Sequence, residues 1–272
     1  MWNDFSGRAV LVTGGTRGIG LACGLAFGRR GAAVTLTHKW GSADEDAIRA
    51  AFAEAGAPPP DIVSADVSQE EDTRAVLEHI HERHERLEVL ISNVAFAALI
   101  RSVDDYSARG LATSISYSSW PVAGYTLLAR EIFGRGPRYV VAVSSQGTSA
   151  LTVNYDFIAA AKAVLESLCR YLHHHLRGEG TRINVVASRF VPTASMDATL
   201  GDDFAAFVRR FAPDLLTAPE EVAEGIYGVC SGLMDGLGGQ VINLDRGASL
   251  WDNFSRLYHE RHLHPITTRN PP

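Results

Sequence analysis

The sequence predicts an α/β chain: a doubly wound, seven-stranded parallel sheet with helices on both faces, built as one domain. Three observations predict it. Short apolar runs recur at intervals of roughly 25–30 residues, a helix-forming segment follows each of them, and a glycine-rich turn joins the first run to the first helix. Strands that alternate with helices at this spacing pair in parallel through right-handed crossovers.

Residues 8–13 form the first run and end at a glycine cluster; 19–30 read as a helix. Residues 33–37 are a second strand, and 43–55 a helix closed by Gly56 and the Pro58-Pro59-Pro60 loop. A third strand covers 61–65, and a charged amphipathic helix 70–86. Residues 89–92 are the fourth strand, followed by a long helical stretch around 107–133. A fifth strand spans 138–144, a helix 155–176 and a sixth strand 182–187. After an irregular segment with helical stretches (193–216), 219–231 is helical and 240–244 closes the sheet. No linker interrupts residues 1–250. The remainder, 251–272, is a His- and Pro-containing tail expected to lie on the surface or across a contact between copies.

Composition narrows the partners. The 272 residues carry a formal net charge of −6, which argues against nucleic acid, whose phosphates need clustered positive charge. No apolar run is long enough to span a bilayer, and residues 1–7 lack a signal peptide's basic and apolar segments. Cys23, Cys169 and Cys230 are widely spaced and form no metal or disulfide pattern, so a reduced cytoplasmic protein is expected. His173-His174-His175 reads as a solvated helix end, since consecutive helical positions point in different directions. Of 25 basic residues only Lys39 and Lys162 are lysines, a skew of the kind GC-rich genomes produce. The positions of those two exceptions are informative.

Gly14, Thr16, Arg17, Gly18, Ile19 and Gly20 lie between the first strand and first helix. There the free N–H groups of the helix attract a pyrophosphate and glycines let the backbone approach it, which marks a Rossmann dinucleotide site. An NAD site usually places a carboxylate at the end of the second strand. This chain has His38-Lys39, with Arg17 nearby, and two cations attract a 2′-phosphate. NADP is therefore favoured, with NADPH as hydride donor; the alternative is that Lys39 is only a solvated loop residue.

The Thr13-Gly14-to-Gly20 segment, the Asp66-Val67 pair and a Ser–Tyr–Lys set about 130 residues on resemble the short-chain dehydrogenase/reductase superfamily over roughly residues 6–250. That resemblance implies that Asp66 meets the adenine amino group with Val67 beside it. It also implies that Asn93, Val94 and Ala95 line the cofactor after the fourth strand, and that Val191 and Thr193 stand at the nicotinamide carboxamide. Lys162 would fix the ribose hydroxyls and supply positive charge, and Ser145, seventeen residues earlier, would donate to the substrate oxygen.

The departures carry more information. Most of the superfamily has a tyrosine four residues before the lysine; here that position is Ile158, which exchanges no proton. Tyr155 lies seven before Lys162, two helical turns away on the same face. This Tyr-x6-Lys spacing, and the segment Ser114-Ile115-Ser116-Tyr117-Ser118, are similar to enoyl-acyl-carrier-protein reductases, with Ser116 replacing the Asn that relays protons. The missing tyrosine instead resembles atypical ketoreductases of aromatic, angucyclinone-type polyketides. Arg189 replaces a glycine after the sixth strand and either faces the nicotinamide or makes a structural salt bridge.

Three functions follow. The first is an NADPH-dependent ketoreductase of specialised, antibiotic-type metabolism. It would act on a bulky aromatic small molecule, and Tyr155, water or the substrate's own phenol would provide the proton. The second is an enoyl-thioester reductase that docks an acidic carrier protein near Arg209-Arg210. The third is a regulator that binds a nucleotide without catalysis. Phe204, Phe207, Phe211 and Leu215 form an apolar stripe, either lid or core. The family resemblance implies a homodimer or homotetramer. The apolar face Phe157, Ala161, Leu165, Leu168 and Leu172 is consistent with such pairing and equally with packing inside one chain.

Overall fold

The computed structural model describes residues 4–39, 43–96, 98–250 and 252–263. Seven strands, β1 (Ala9–Val12), β2 (Ala33–His38), β3 (Asp61–Ser64), β4 (Leu87–Ser92), β5 (Tyr139–Ser145), β6 (Arg182–Ser188) and β7 (Val241–Leu244), form one sheet. Its order is β3-β2-β1-β4-β5-β6-β7, and every pairing is parallel. The helices between them are α1 (Gly18–Gly28), α2 (Glu45–Glu54), α3 (Glu70–His81), α4 (Ala108–Ser118), α5 (Trp120–Ile132) and α6 (Asp156–Leu176). Four more follow β6 and β7: α7 (Ala194–Leu200), α8 (Phe204–Phe211), α9 (Pro219–Cys230) and α10 (Asn253–His259).

The central strands are buried on both faces, which is why they read as unbroken apolar runs. Successive residues of β1 enter opposite cores. Val10 and Val12 join Phe27, Val222 and Ile226 beneath α1 and α9, whereas Ala9 and Leu11 join Leu77, Tyr125 and Leu165 beneath α3, α5 and α6. The strand order reverses between β1 and β4, and in such sheets the carboxyl ends of the strands at that crevice hold the ligand.

Two expectations are corrected here. The helical stretch 107–133 is two helices, broken at Ser119, whose ψ of −53° accompanies a φ of −121°. Pro121 starts the second helix, where a proline costs no hydrogen bond, and the Ser119 hydroxyl donates to Ala161 O at 2.6 Å. The helix expected over 70–86 ends at His81, and β4 begins at Leu87. On the apolar face of α6, Phe157, Ala161 and Leu165 are buried against α4 and the sheet, whereas Leu168 and Leu172 are half-buried.

The tail's first part is ordered into α10, where Arg256 pairs with Asp214 at 2.6 Å and with Glu260 at 3.0 Å. Residues 264–272 of the tail lie outside the described residues. His174 and His175 are exposed as expected, but His173 is half-buried and its ring fills the space over Gly238, where a Cβ would lie 2.1 Å from Nε2. Among the described residues no group of His, Cys, Asp and Glu could hold a metal, and no helix is long and apolar enough to cross a membrane.

Candidate active site

The glycine turn is shaped by two left-handed residues, Gly14 (φ +62°) and Gly18 (φ +53°). A Cβ on Gly20 would lie 2.2 Å from Gly14 O and 2.7 Å from Asn93 Nδ2, so only glycine lets α1 begin this close to β1. Arg17, the residue before α1, is exposed and makes no side-chain cap, and the first turn of α1 carries no acidic residue. The helix therefore presents its N–H groups uncompensated, and the cradle fits a pyrophosphate. Thr16 is buried, and Ile19 packs on the core beneath α1.

Asn93 serves the turn rather than projecting from it: its Nδ2 donates to Thr13 O at 3.2 Å and Gly14 O at 3.0 Å. Val94 lies against Gly14, Ala95 is exposed at the mouth, and Val67 and Val191 are buried in the two cores. Thr193 caps α7, and its methyl stands 3.1 Å from where a Cβ of Gly18 would be. The segment after β6 thus closes over the glycine turn.

At the end of β2, His38 is half-buried, with a buried Nδ1 that has no partner among the described residues. Lys39 is not a solvated loop residue. Its ammonium is paired with Asp66, donates to Tyr117 Oη at 2.8 Å and lies 4.9 Å from the Tyr117 ring centre. Burial pulls the Lys39 pKa down, but the hydrogen bonds to Asp66 and Tyr117 outweigh it and raise the value. Burial likewise pushes Asp66 up, and donors from Lys39 and Ser68 bring it below the usual carboxylate range.

On the other side of the switch point, α6 carries the reactive set. Lys162 is 4% exposed and donates to Val143 O at 2.7 Å. Burial lowers its pKa to about 8, against the opposing pull of Cys169 and Glu166. Ile158 sits half-buried one turn before it. Ser145 ends β5 and accepts from Gly147 N at 3.2 Å. The Tyr155 ring packs against Gly147, where a Cβ would be 2.5 Å from Cδ1 and Cε1. Burial pushes the Tyr155 phenol up, and the Ser145 hydroxyl beside it works in the opposite direction. Ser145, Tyr155 and Lys162 are thus gathered at one strand end.

The model of the family described as Enoyl-(Acyl carrier protein) reductase matches residues 14–249. The chain belongs to this family. It is an oxidoreductase of the short-chain dehydrogenase/reductase superfamily, whose members bind a nicotinamide cofactor. Among its relatives, an enoyl-[acyl-carrier-protein] reductase [NADH] of Nostoc sp. is 26% identical, across 90% of this chain and 97% of that protein. The 1-cyclohexenylcarbonyl-CoA reductase of Streptomyces collinus is 28% identical, across 69% of this chain and 66% of that protein. A crystal structure of a variant actinorhodin polyketide ketoreductase with NADPH has the same fold, with a TM-score of 0.79 at 20% identity. That match covers 90% of this chain and 98% of the other.

The surroundings of two further candidates, Ser116 and Arg189, are also defined. Ser116 is half-buried on α4 and makes no side-chain hydrogen bond among the described residues; Ser119 is the serine that reaches α6. Arg189 donates to Ala248 O at 3.1 Å and lies 5.2 Å from the Phe190 ring centre, making no ion pair among the described residues. The buried pair Gln146–Asp245, which joins the Ser145 turn to the segment after β7, went unread in the sequence. So did Tyr117. Neither bears a local signal, because each partner lies on a different crossover.

Proposed function

We propose that the chain is an NADPH-dependent ketoreductase acting on a bulky, aromatic polyketide-like ketone in specialised metabolism. The observation that carries this reading is Ile158 one turn before a buried Lys162, with Ser145 retained at the end of β5. A ketone needs a hydride and an oxyanion partner, and it tolerates a missing protein acid if a neighbouring phenol or water supplies the proton. The bound nicotinamide supplies the hydride. Ser145 donates to the developing oxyanion, and the Lys162 ammonium adds positive charge in a water-poor setting.

His38-Lys39 in place of a carboxylate, with Arg17 exposed at the start of α1, supports NADPH over NADH. The polyketide ketoreductase of like fold was solved with NADPH, whereas the Nostoc relative carries NADH in its name. Exposed Phe96, Leu151, Val153 and Phe207 follow the ends of β4, β5 and β6 and suit an apolar substrate. On α8 the buried residues are Ala205 and Val208, so Phe207 stands outside the core, which supports its use as a lid. Pairing into a homodimer or homotetramer belongs to the same proposal, through Trp120, Leu127 and Tyr171 on the outer sides of α5 and α6.

Enoyl-thioester reduction is the second reading. The family description and the Tyr155-x6-Lys162 spacing favour it, and exposed Arg209 and Arg210 would meet an acidic carrier protein. The deciding experiment follows NADPH oxidation with a polycyclic hydroxyketone and then with crotonyl thioester. Turnover of the ketone is expected. Turnover of the thioester alone overturns the first reading, and cofactor binding without turnover of either class makes the chain a regulator.

A further inference from the structure

The carboxylate of Asp66 is already fully engaged. Its Oδ1 accepts from Ser68 N at 3.0 Å and Ser68 Oγ at 2.8 Å; its Oδ2 holds the Lys39 ammonium and accepts from the Tyr117 hydroxyl at 3.3 Å. The Lys39 and Asp66 side chains are 26% and 14% exposed, so this pair is partly shielded from water. Lys39 follows β2, Asp66 follows β3 and Tyr117 rides on α4, so three crossovers converge beside the glycine turn. A dinucleotide with its pyrophosphate at α1 lays its adenosine across the end of β2. Donors of that adenosine therefore meet a carboxylate that has no room for them until Lys39 leaves.

We propose that the Lys39–Asp66 pair, held by Tyr117, is an ion-pair exchange that sets cofactor choice, an inference that rests on the NADPH reading above. A 2′-phosphate gives the departing ammonium a new anion while Asp66 turns to the adenosine donors, so neither the cation nor the carboxylate is left without a polar partner. NADH has no such anion. It either strands the Lys39 ammonium or forgoes Asp66, so the pair acts against NADH as well as for NADPH. Tyr117 holds the resting arrangement and raises the barrier to both cofactors equally. It is a positioning residue that need not touch the cofactor, and it leaves the choice between the two to Lys39.

Isothermal titration calorimetry of NADPH and NADH into wild type, Lys39→Met and Tyr117→Phe tests this. Lys39→Met is expected to weaken NADPH by about tenfold or more, yet to tighten NADH by roughly three- to tenfold. Tyr117→Phe tightens both by a similar factor, about threefold, and leaves their ratio unchanged. Unaltered NADH affinity in Lys39→Met overturns the exchange and leaves Lys39 a simple phosphate contact. Equal tightening of both cofactors in Lys39→Met overturns it too, since Lys39 then never meets the phosphate. A folded wild type that binds neither cofactor defeats the underlying cofactor reading instead, which is a separate result.

Discussion

Replacing Lys162 by Met removes a buried cation, and its effect on stability should depend on pH in a way few other groups would mimic. Burial lowers the lysine from 10.5 to about 8 in the folded protein, whereas the unfolded chain keeps its ordinary value. Between those values the unfolded state binds the extra proton, so wild-type stability rises with pH across that window. At about 1.4 kcal/mol per pH unit, the full rise is about 3 kcal/mol. Below pH 8 the folded protein bears the whole cost of the buried charge, which Met removes. Met also leaves Val143 O without its donor, a loss of about 1–3 kcal/mol that offsets most of the relief. Near pH 7 the two proteins should therefore have similar stability. The wild-type advantage should then grow by about 3 kcal/mol by pH 10.5. Urea unfolding of both proteins from pH 7 to 10.5, followed by far-UV circular dichroism, measures that difference with the other titrations cancelled. A difference that stays flat, or falls, refutes the buried and destabilised ammonium.

The same titration predicts that kcat/KM for NADPH falls about tenfold per pH unit above about 8, as the Lys162 ammonium is lost; a profile level to pH 9.5 contradicts this. Gly20→Ala forces a methyl onto Gly14 O and Asn93 Nδ2. NADPH affinity should drop by about a hundredfold and the melting temperature by roughly 3–10 °C, checked by calorimetry and thermal unfolding. Arg256→Ala cuts α10 from Asp214 and should speed amide exchange of Leu215 and Leu216 about fivefold, read by hydrogen-exchange mass spectrometry. Unchanged exchange there removes α10 from any account of the lid.

Periodicity carried the fold because the central strands of the parallel sheet are buried on both faces and helices such as α3 and α6 are amphipathic. The break at Ser119 was missed although Trp120-Pro121 announces a helix start, because the apolar pattern runs on through it. The cofactor turn was legible for a local reason: Gly14, Gly18 and Gly20 are required by backbone geometry within seven residues. Lys162, Ser145 and Ile158 were legible through the family resemblance, whose spacing along one helix and one strand end they keep or break. What escaped was pairing between crossovers. The sequence put Lys39 and Asp66 in the site as separate readers, and only the sheet order, with β2 beside β3, brings them together under Tyr117. Arg189 could not be resolved for the same reason, since its partner is a backbone carbonyl 59 residues away.

In the proposed ketone reduction, no protein acid stands at position 158 and none is needed at Tyr155. Tyr155→Phe keeps the ring on Gly147 and removes only the phenol that faces Ser145. The direct measurement is kcat/KM of this variant with a ketone bearing a neighbouring phenol. A loss within about tenfold is expected, since a positioned general acid is worth roughly 10²–10⁴-fold and none is being removed. A loss beyond about a thousandfold would contradict it and restore Tyr155 as the proton donor.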